Sequence, residues 1–167
     1  MLAYMLPNNI RELKRFAMEN GRAAYHALNR LFSTWKRNLA SPRLPDLKVL
    51  GWLDAVDEDR VFISVASIAE LRRGIALMDD GRRRAALAAW LANDLPARFA
   101  ERMLPIDHAV AEHWGDLMAQ SRRSGVALSV MDGFFAATAL AKDLTLVTRN
   151  VKDFMSFGVP LFNPWDE

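Results

Sequence analysis

The feature that most constrains the fold is an alternation of short apolar runs with amphipathic segments, which begins at Asp46. The apolar runs have the length and composition of buried β-strands, and they lie at residues 61–65, 102–106, 144–148 and 159–162. The segments between them have helical spacing, and they lie at residues 67–78, 82–95, 107–125 and 130–142, after a first helix that Asp46 can cap. This alternation predicts a parallel sheet covered by helices on both faces.

Composition excludes several classes of protein. The 167 residues have room for about one domain, and a content of 51% hydrophobic and 25% charged residues is that of a globular chain. No apolar run reaches the roughly 18–20 residues that cross a bilayer, and we expect no signal peptide. The absence of cysteine excludes disulfides, thiolate zinc sites and cysteine nucleophiles, and three scattered histidines do not form a zinc pattern.

The N-terminal part of the chain differs from the rest. Residues 1–43 carry eight Lys/Arg and two Glu, which gives a net charge of +6. Residues 44–167 carry fourteen Lys/Arg and eighteen Asp/Glu, which gives a net charge of −4. Residues 9–30 predict a helix, and a proline-rich breaker follows at residues 41–45. We therefore predict an atypical basic extension at residues 1–38 and a domain at residues 39–167. The extension either binds an anionic partner or is a solvated basic helix.

Two acidic residues occupy places where parallel sheets bind ligands, beyond the carboxyl ends of the strands. Glu70 follows the strand predicted at residues 61–65, although Ser67 and Glu70 also have the spacing of a helix capping box. Asp132 lies in the first turn of the helix at residues 130–142, where the helix dipole alone would stabilise it. The apolar sequence around Asp132 predicts that it is buried, and a buried carboxylate needs a partner.

A third polar feature follows the strand at residues 144–148. It contains Asn150 and Asp153, which either join the two acids or belong to an exposed loop. Oxygen ligands without histidine or cysteine suit Mg²⁺ or Mn²⁺, which can activate water and stabilise charge on a phosphoryl group. The set therefore favours phosphodiester hydrolysis. Five arginines could bind RNA phosphates, although each could equally be solvated: Arg72, Arg73, Arg122, Arg123 and Arg149.

Several segments between about Pro42 and Glu167 fit one family pattern. They read PDLKVLGWLDA, VFISVASIAELRRGIALM, RMLPIDHAVAEHWGDL, MDGFFAATALAKDLTLVTRNVKDF and LFNPWDE. In these segments the chain resembles the PIN-domain ribonucleases, specifically the VapC-type toxins of bacterial toxin–antitoxin pairs and their FitB-like branch. The resemblance implies a three-layer α/β/α sandwich around a parallel sheet. It also implies that Glu70, Asp132 and Asn150 are catalytic metal ligands, and that Asp153 is a further metal ligand.

The resemblance further implies a magnesium-dependent endoribonuclease in the cytoplasm, a homodimer, and inhibition by an antitoxin. Members of the family begin with a strand reading roughly L-L-D-T-N-V, whose Asp is a principal metal ligand. The equivalent place in this chain, residues 31–38, contains no carboxylate. We therefore expect either a gap in the sheet or an imperfect substitute from residues 31–35. A frame-shifted or decayed gene is one hypothesis for the difference.

Two alternatives to an active ribonuclease remain open from the sequence. The chain could be a catalytically inactive PIN fold that only binds an antitoxin or RNA. Alternatively, residues 9–30 could be an antitoxin-like binding helix fused in front of the domain. The closing segment at residues 162–165 is interpreted as a packing anchor of the fold.

Overall fold

The computed structural model describes residues 4–7, 48, 51, 52 and 55–166. The strands are β1 (Tyr4–Pro7), β2 (Phe62–Ser64), β3 (Met103–Leu104), β4 (Leu144–Val147) and β5 (Leu161–Phe162). The helices are α1 (Val65–Ala76), α2 (Arg82–Ala89), α3 (Leu95–Phe99), α4 (His108–Ser124) and α5 (Val130–Ala141). None of these described helices is long and apolar enough to cross a membrane. The helix predicted at residues 9–30 lies outside the described residues.

The five described strands form one sheet in the order β3–β2–β1–β4–β5. β2 is parallel to β3, with Ile63 opposite Met103, and β4 is parallel to β5, with Leu146 opposite Leu161. β1 pairs with β2 on one side and β4 on the other, and it runs antiparallel to both. The four other strands therefore share one direction, and their C-terminal ends lie at one edge of the sheet, here called the carboxyl edge.

The direction of β1 departs from the fully parallel sheet that the sequence predicts. Tyr4 lies opposite Ile63 and Val147, so β1 starts near the carboxyl edge and ends at Pro7 on the other side. The position between β2 and β4 has to be filled, because an empty one would leave buried N–H and C=O groups unpaired. β1 fills it, so the predicted gap is absent from the described sheet. The predicted substitute, residues 31–35, lies outside the described residues.

Helix α1 starts earlier than predicted. α1 begins directly at the end of β2, where the Ser64 hydroxyl accepts a hydrogen bond from the Ala66 N–H at 3.1 Å. Ser67, predicted to open the helix, is instead buried inside its first turn. The capping-box interpretation of Ser67 and Glu70 is therefore wrong, because the preceding serine caps the helix.

Other helix ends agree more closely with the sequence. Asp107 caps α4 by accepting a hydrogen bond from the Val110 N–H at 3.1 Å, and Gly125 ends it with a left-handed φ of 70°. Both predicted ends of this helix are confirmed. The helix predicted at residues 82–95 continues to Phe99 through a π-helical turn, Trp90–Asp94. Pro96 follows that turn, and its missing N–H disfavours regular α-helical hydrogen bonding there.

Two apolar clusters account for the layers of the fold. Along β4, Leu146 belongs to one cluster and Val147 to the other, since successive side chains of a strand point to opposite faces. The first cluster contains buried residues of α4 and α5, including Leu117 and Phe135. The second contains buried residues of α2 and α3, including Leu87 and Leu95. Helices therefore pack on both faces of the sheet, which confirms the predicted three-layer α/β/α arrangement.

Candidate active site

Glu70 is positioned by the start of α1. It lies three residues after Ser67 and four after Ala66, both of which are buried, so it shares their side of the helix. Glu70 itself is half-buried. Because α1 begins where β2 ends, this side of the helix starts at the carboxyl edge of the sheet.

Asp132 is held by the N-terminal cap of α5. The Ser129 hydroxyl accepts a hydrogen bond from the Asp132 N–H at 3.1 Å and donates one to Asp132 Oδ2 at 2.6 Å. Asp132 precedes Phe135 and Ala136, both fully buried, by one helical turn. It is half-buried rather than buried as predicted, whereas the next residue, Gly133, is buried.

Asn150 and Asp153 lie in the turns that follow β4. The Asn150 backbone N–H donates to Thr148 Oγ1 at 3.1 Å, and the Asn150 side-chain amide donates to Asp153 Oδ2. Asn150 is half-buried and Asp153 is exposed. Because the amide nitrogen donates to Asp153, the amide oxygen is the Asn150 atom suited to bind a cation.

One apolar cluster contains residues that lie close in sequence to the acidic candidates, although the candidates are far apart in the chain. Members of that cluster include Ala66, Phe135, Ala136 and Phe154. Glu70 lies one helical turn after Ala66, and Asp132 lies one helical turn before Phe135. Asp153 directly precedes Phe154. A contact of 3.5 Å between the Ser64 and Thr138 hydroxyls also joins the end of β2 to α5. The start of α1, which carries Glu70, is thus joined to α5, which carries Asp132. Further along α1, Ile75 belongs to the second cluster.

The donor chemistry suits a hard cation, but the number of acids is small. The candidate ligands are carboxylate and amide oxygens, as Mg²⁺ and Mn²⁺ prefer. Within the described residues, however, no group of three or more His, Cys, Asp or Glu side chains could hold a metal ion. The central strand adds no acid, since it reads Tyr-Met-Leu-Pro. The described residues therefore fit a divalent cation in ligand type and provide few negative charges for it.

Cationic side chains lie close in sequence to these candidates. Arg73 follows Glu70 by one turn of α1, and Arg149 directly precedes Asn150; both are exposed. The other predicted phosphate-binding arginines, Arg72, Arg122 and Arg123, are also exposed. The last two lie in the final turn of α4, where cations complement the helix dipole.

A different acid, Asp107 at the start of α4, has a perturbed titration. A hydrogen bond from the Lys142 ammonium and another from the Val110 N–H hold the pKa of Asp107 below its usual value. Asp107 also caps α4, since its side chain accepts the Val110 hydrogen bond.

Sequence reasoning missed the groups that surround Asp132. Ser129 was not singled out, although a serine three residues before an acid at a helix start is a recognisable signal. Trp114 of α4 also surrounds this turn, because its indole N–H donates to the Val130 carbonyl at 3.3 Å. No local pattern connects it to α5, because the contact joins residues 16 positions apart.

Comparison with known proteins decides the family. A model of the PIN domain matches residues 41–156. The chain belongs to the PIN-domain family. This PIN domain is 37% identical over 122 residues to the VapC ribonuclease Y4jK of Sinorhizobium fredii, covering 73% of this chain and 87% of the relative. It is 34% identical over 123 residues to the toxin FitB of Neisseria gonorrhoeae, covering 74% and 88%.

A solved structure shows the same fold. The crystal structure of FitAcB from Neisseria gonorrhoeae matches this PIN domain with a TM-score of 0.70 and 32% identity, covering 79% of this chain and 96% of that one. The predicted resemblance to VapC-type toxins and their FitB-like branch is thereby confirmed. All four predicted ligands lie inside the family match, and residues 1–40 lie outside it.

Proposed function

We propose that this PIN domain is a magnesium-dependent endoribonuclease that acts in the cytoplasm as the toxin of a toxin–antitoxin pair. The observation that carries the proposal is that Ser64, which caps the helix bearing Glu70, contacts Thr138 of the helix bearing Asp132. The names of two relatives, a VapC ribonuclease and the toxin FitB, support the reaction class and the role.

The proposed ligands divide into carboxylates and one amide. Glu70 and Asp132 would hold Mg²⁺, or Mn²⁺ in its place, with the Asn150 amide oxygen and with Asp153 as a further ligand. The bound ion would supply an activated water and stabilise charge on the phosphoryl group. The Ser129 hydroxyl fixes one oxygen of the Asp132 carboxylate.

The substrate and partners follow from charge and from the family. RNA phosphates would contact the exposed Arg73 and Arg149, which lie next to the candidate ligands in sequence. We also propose the two protein partners that the resemblance implies, a second copy of this chain and an antitoxin that covers the candidate metal site.

A specific observation favours a second candidate, a catalytically inactive PIN fold that binds RNA or an antitoxin. Within the part of the chain that the structure describes, no three acidic or histidine side chains form a metal site. Loss of an anionic ligand weakens a divalent-metal site, because each carboxylate contributes to the attraction of the cation.

Cleavage of a single-stranded RNA by the full chain distinguishes the two candidates. The reaction is run with Mg²⁺, with EDTA, and with the variants Asp132→Asn and Asp116→Asn. Asp116 is an exposed acid on α4 and serves as the matched control. The proposed nuclease loses at least about 10–100-fold of its cleavage rate in Asp132→Asn and in EDTA, and it keeps the rate in Asp116→Asn.

Two results would decide against the nuclease. Equal cleavage by the wild type and Asp132→Asn would assign the activity to a contaminant. RNA binding without cleavage at any Mg²⁺ concentration would support the inactive binding fold.

A further inference from the structure

Helix α4 holds the first turn of α5 through Trp114. Its indole N–H donates to the Val130 carbonyl at 3.3 Å, and its ring stacks on Phe134 with centroids 5.1 Å apart and planes 14° apart. The approach is close enough that a Cβ on Gly133 would lie 3.0 Å from both Trp114 Nε1 and Met118 Sδ. The backbone on both sides of Asp132 is therefore fixed against α4.

Ser129 fixes the side chain that this backbone carries. One hydroxyl oxygen accepts from the Asp132 N–H at 3.1 Å and donates its only proton to Asp132 Oδ2 at 2.6 Å. With Oδ2 engaged and the backbone clamped, rotation of the carboxylate is restricted. Oδ1 is the oxygen of Asp132 that this hydrogen bond does not engage.

We infer that Ser129 and Trp114 are positioning residues, which hold the Asp132 carboxylate so that Oδ1 is presented to the divalent cation. This inference rests on the proposed function. Groups that orient a metal ligand in this way change metal affinity about 10–100-fold when they are removed. Neither residue is assigned a contact with RNA.

A helix cap without a positioning role makes a different prediction, and this allows a direct test. Glycine is nearly as good as serine at an N-cap, whereas alanine is clearly worse. Threonine keeps the hydroxyl, while glycine and alanine both remove it. If Ser129 is only a helix cap, the Ser129→Thr and Ser129→Gly variants should be more stable than Ser129→Ala. If Ser129 positions Asp132, Ser129→Gly and Ser129→Ala should both lose Mn²⁺ affinity.

The test measures Mn²⁺ affinity by calorimetric titration of the full chain, in the wild type and in Ser129→Thr, Ser129→Gly, Ser129→Ala and Trp114→Phe. Thermal denaturation of the same samples gives the stability order. We expect Ser129→Gly and Ser129→Ala to bind Mn²⁺ about 10-fold or more weakly, while Ser129→Thr stays close to the wild type. Trp114→Phe keeps the ring stacking but removes the indole donor, and it should also bind more weakly.

Two results overturn the inference, and they can be told apart. If Ser129→Gly binds Mn²⁺ as tightly as the wild type, or if affinity merely follows thermal stability, Ser129 is only a helix cap. The proposed metal site then survives. If the wild type binds no Mn²⁺, the inference fails together with the metal dependence of the proposed function.

Discussion

Substitution of Gly133 tests the close packing between α4 and α5. A Cβ built on Gly133 would lie 3.0 Å from Met118 Sδ, 3.0 Å from Trp114 Nε1 and 3.1 Å from Trp114 Cδ1. These separations are well inside ordinary van der Waals contact. Gly133→Ala therefore requires the Trp114 ring and the Met118 side chain to shift by a few tenths of an ångström. Overpacking of this kind costs about 1–3 kcal/mol.

The steric cost is partly offset by the helix propensity of alanine. Replacing glycine by alanine inside a helix stabilises it by about 0.5–1 kcal/mol. Gly115 in α4 gives the matched control, because it is exposed and a Cβ there meets nothing within 4 Å. Gly115→Ala should be stabilising by the full propensity gain, while Gly133→Ala should be destabilising by up to about 2 kcal/mol.

Urea denaturation and thermal melting of the two variants measure the difference directly. The two free energies of unfolding should differ by about 1–3 kcal/mol, and each kcal/mol corresponds to about 2–4 °C in Tm for a chain of this size. If Gly133→Ala stabilised the fold as much as Gly115→Ala, the close approach of Trp114 to α5 would be refuted. The inference that Trp114 of α4 helps to position Asp132 would then lose its structural support.

Two further predictions concern charge. The Lys142 hydrogen bond lowers the pKa of Asp107, so the stability linked to this pair is lost as the pH falls below about 4. In Lys142→Met the free energy of unfolding should therefore fall less steeply with decreasing pH. Urea titrations between pH 5 and pH 2 measure this slope, and an unchanged slope would contradict the prediction. Arg82→Glu replaces an exposed cation in the first turn of α2 and should raise the free energy of unfolding by about 0.3–1 kcal/mol, with Arg122→Glu in the last turn of α4 as a control of opposite sign. Equal signs for these two variants would contradict the dipole argument.

The parts of the fold that could be predicted from the sequence are those that depend on neighbouring residues. Asp107 and Gly125 were identified as the ends of α4, because capping and left-handed turns depend on residues within a few positions. The start of α1 was misplaced because Ser64 and Ser67 are both suitable caps. Only the end of β2 decides between them, since the helix begins where the strand stops.

The central strand β1 could not be predicted, because it is short and pairs only with distant parts of the chain. β1 is four residues long and ends in proline, so it has neither the length nor the alternation that marks a strand. Its place in the sheet is determined by the vacant position between β2 and β4, which are more than fifty residues away in sequence. Information of that range is absent from any local pattern.

Predictions about the candidate site came from two sources. Helical spacing placed Glu70 and Asp132 near the ends of strands, whereas their assignment as metal ligands came from the family resemblance. The prediction that Asp132 is buried was wrong, because an apolar sequence around a residue does not reveal which side of its helix faces the core. Burial depends on the packing of whole elements.

The most direct test of the account is the position of a divalent cation. Crystals of the full chain soaked in Mn²⁺ and measured for anomalous scattering would locate the ion. We predict one anomalous peak in direct coordination with a carboxylate oxygen of Glu70 and with Oδ1 of Asp132. A pair of carboxylates too far apart to share an ion, or a peak bound elsewhere on the molecule, would contradict it.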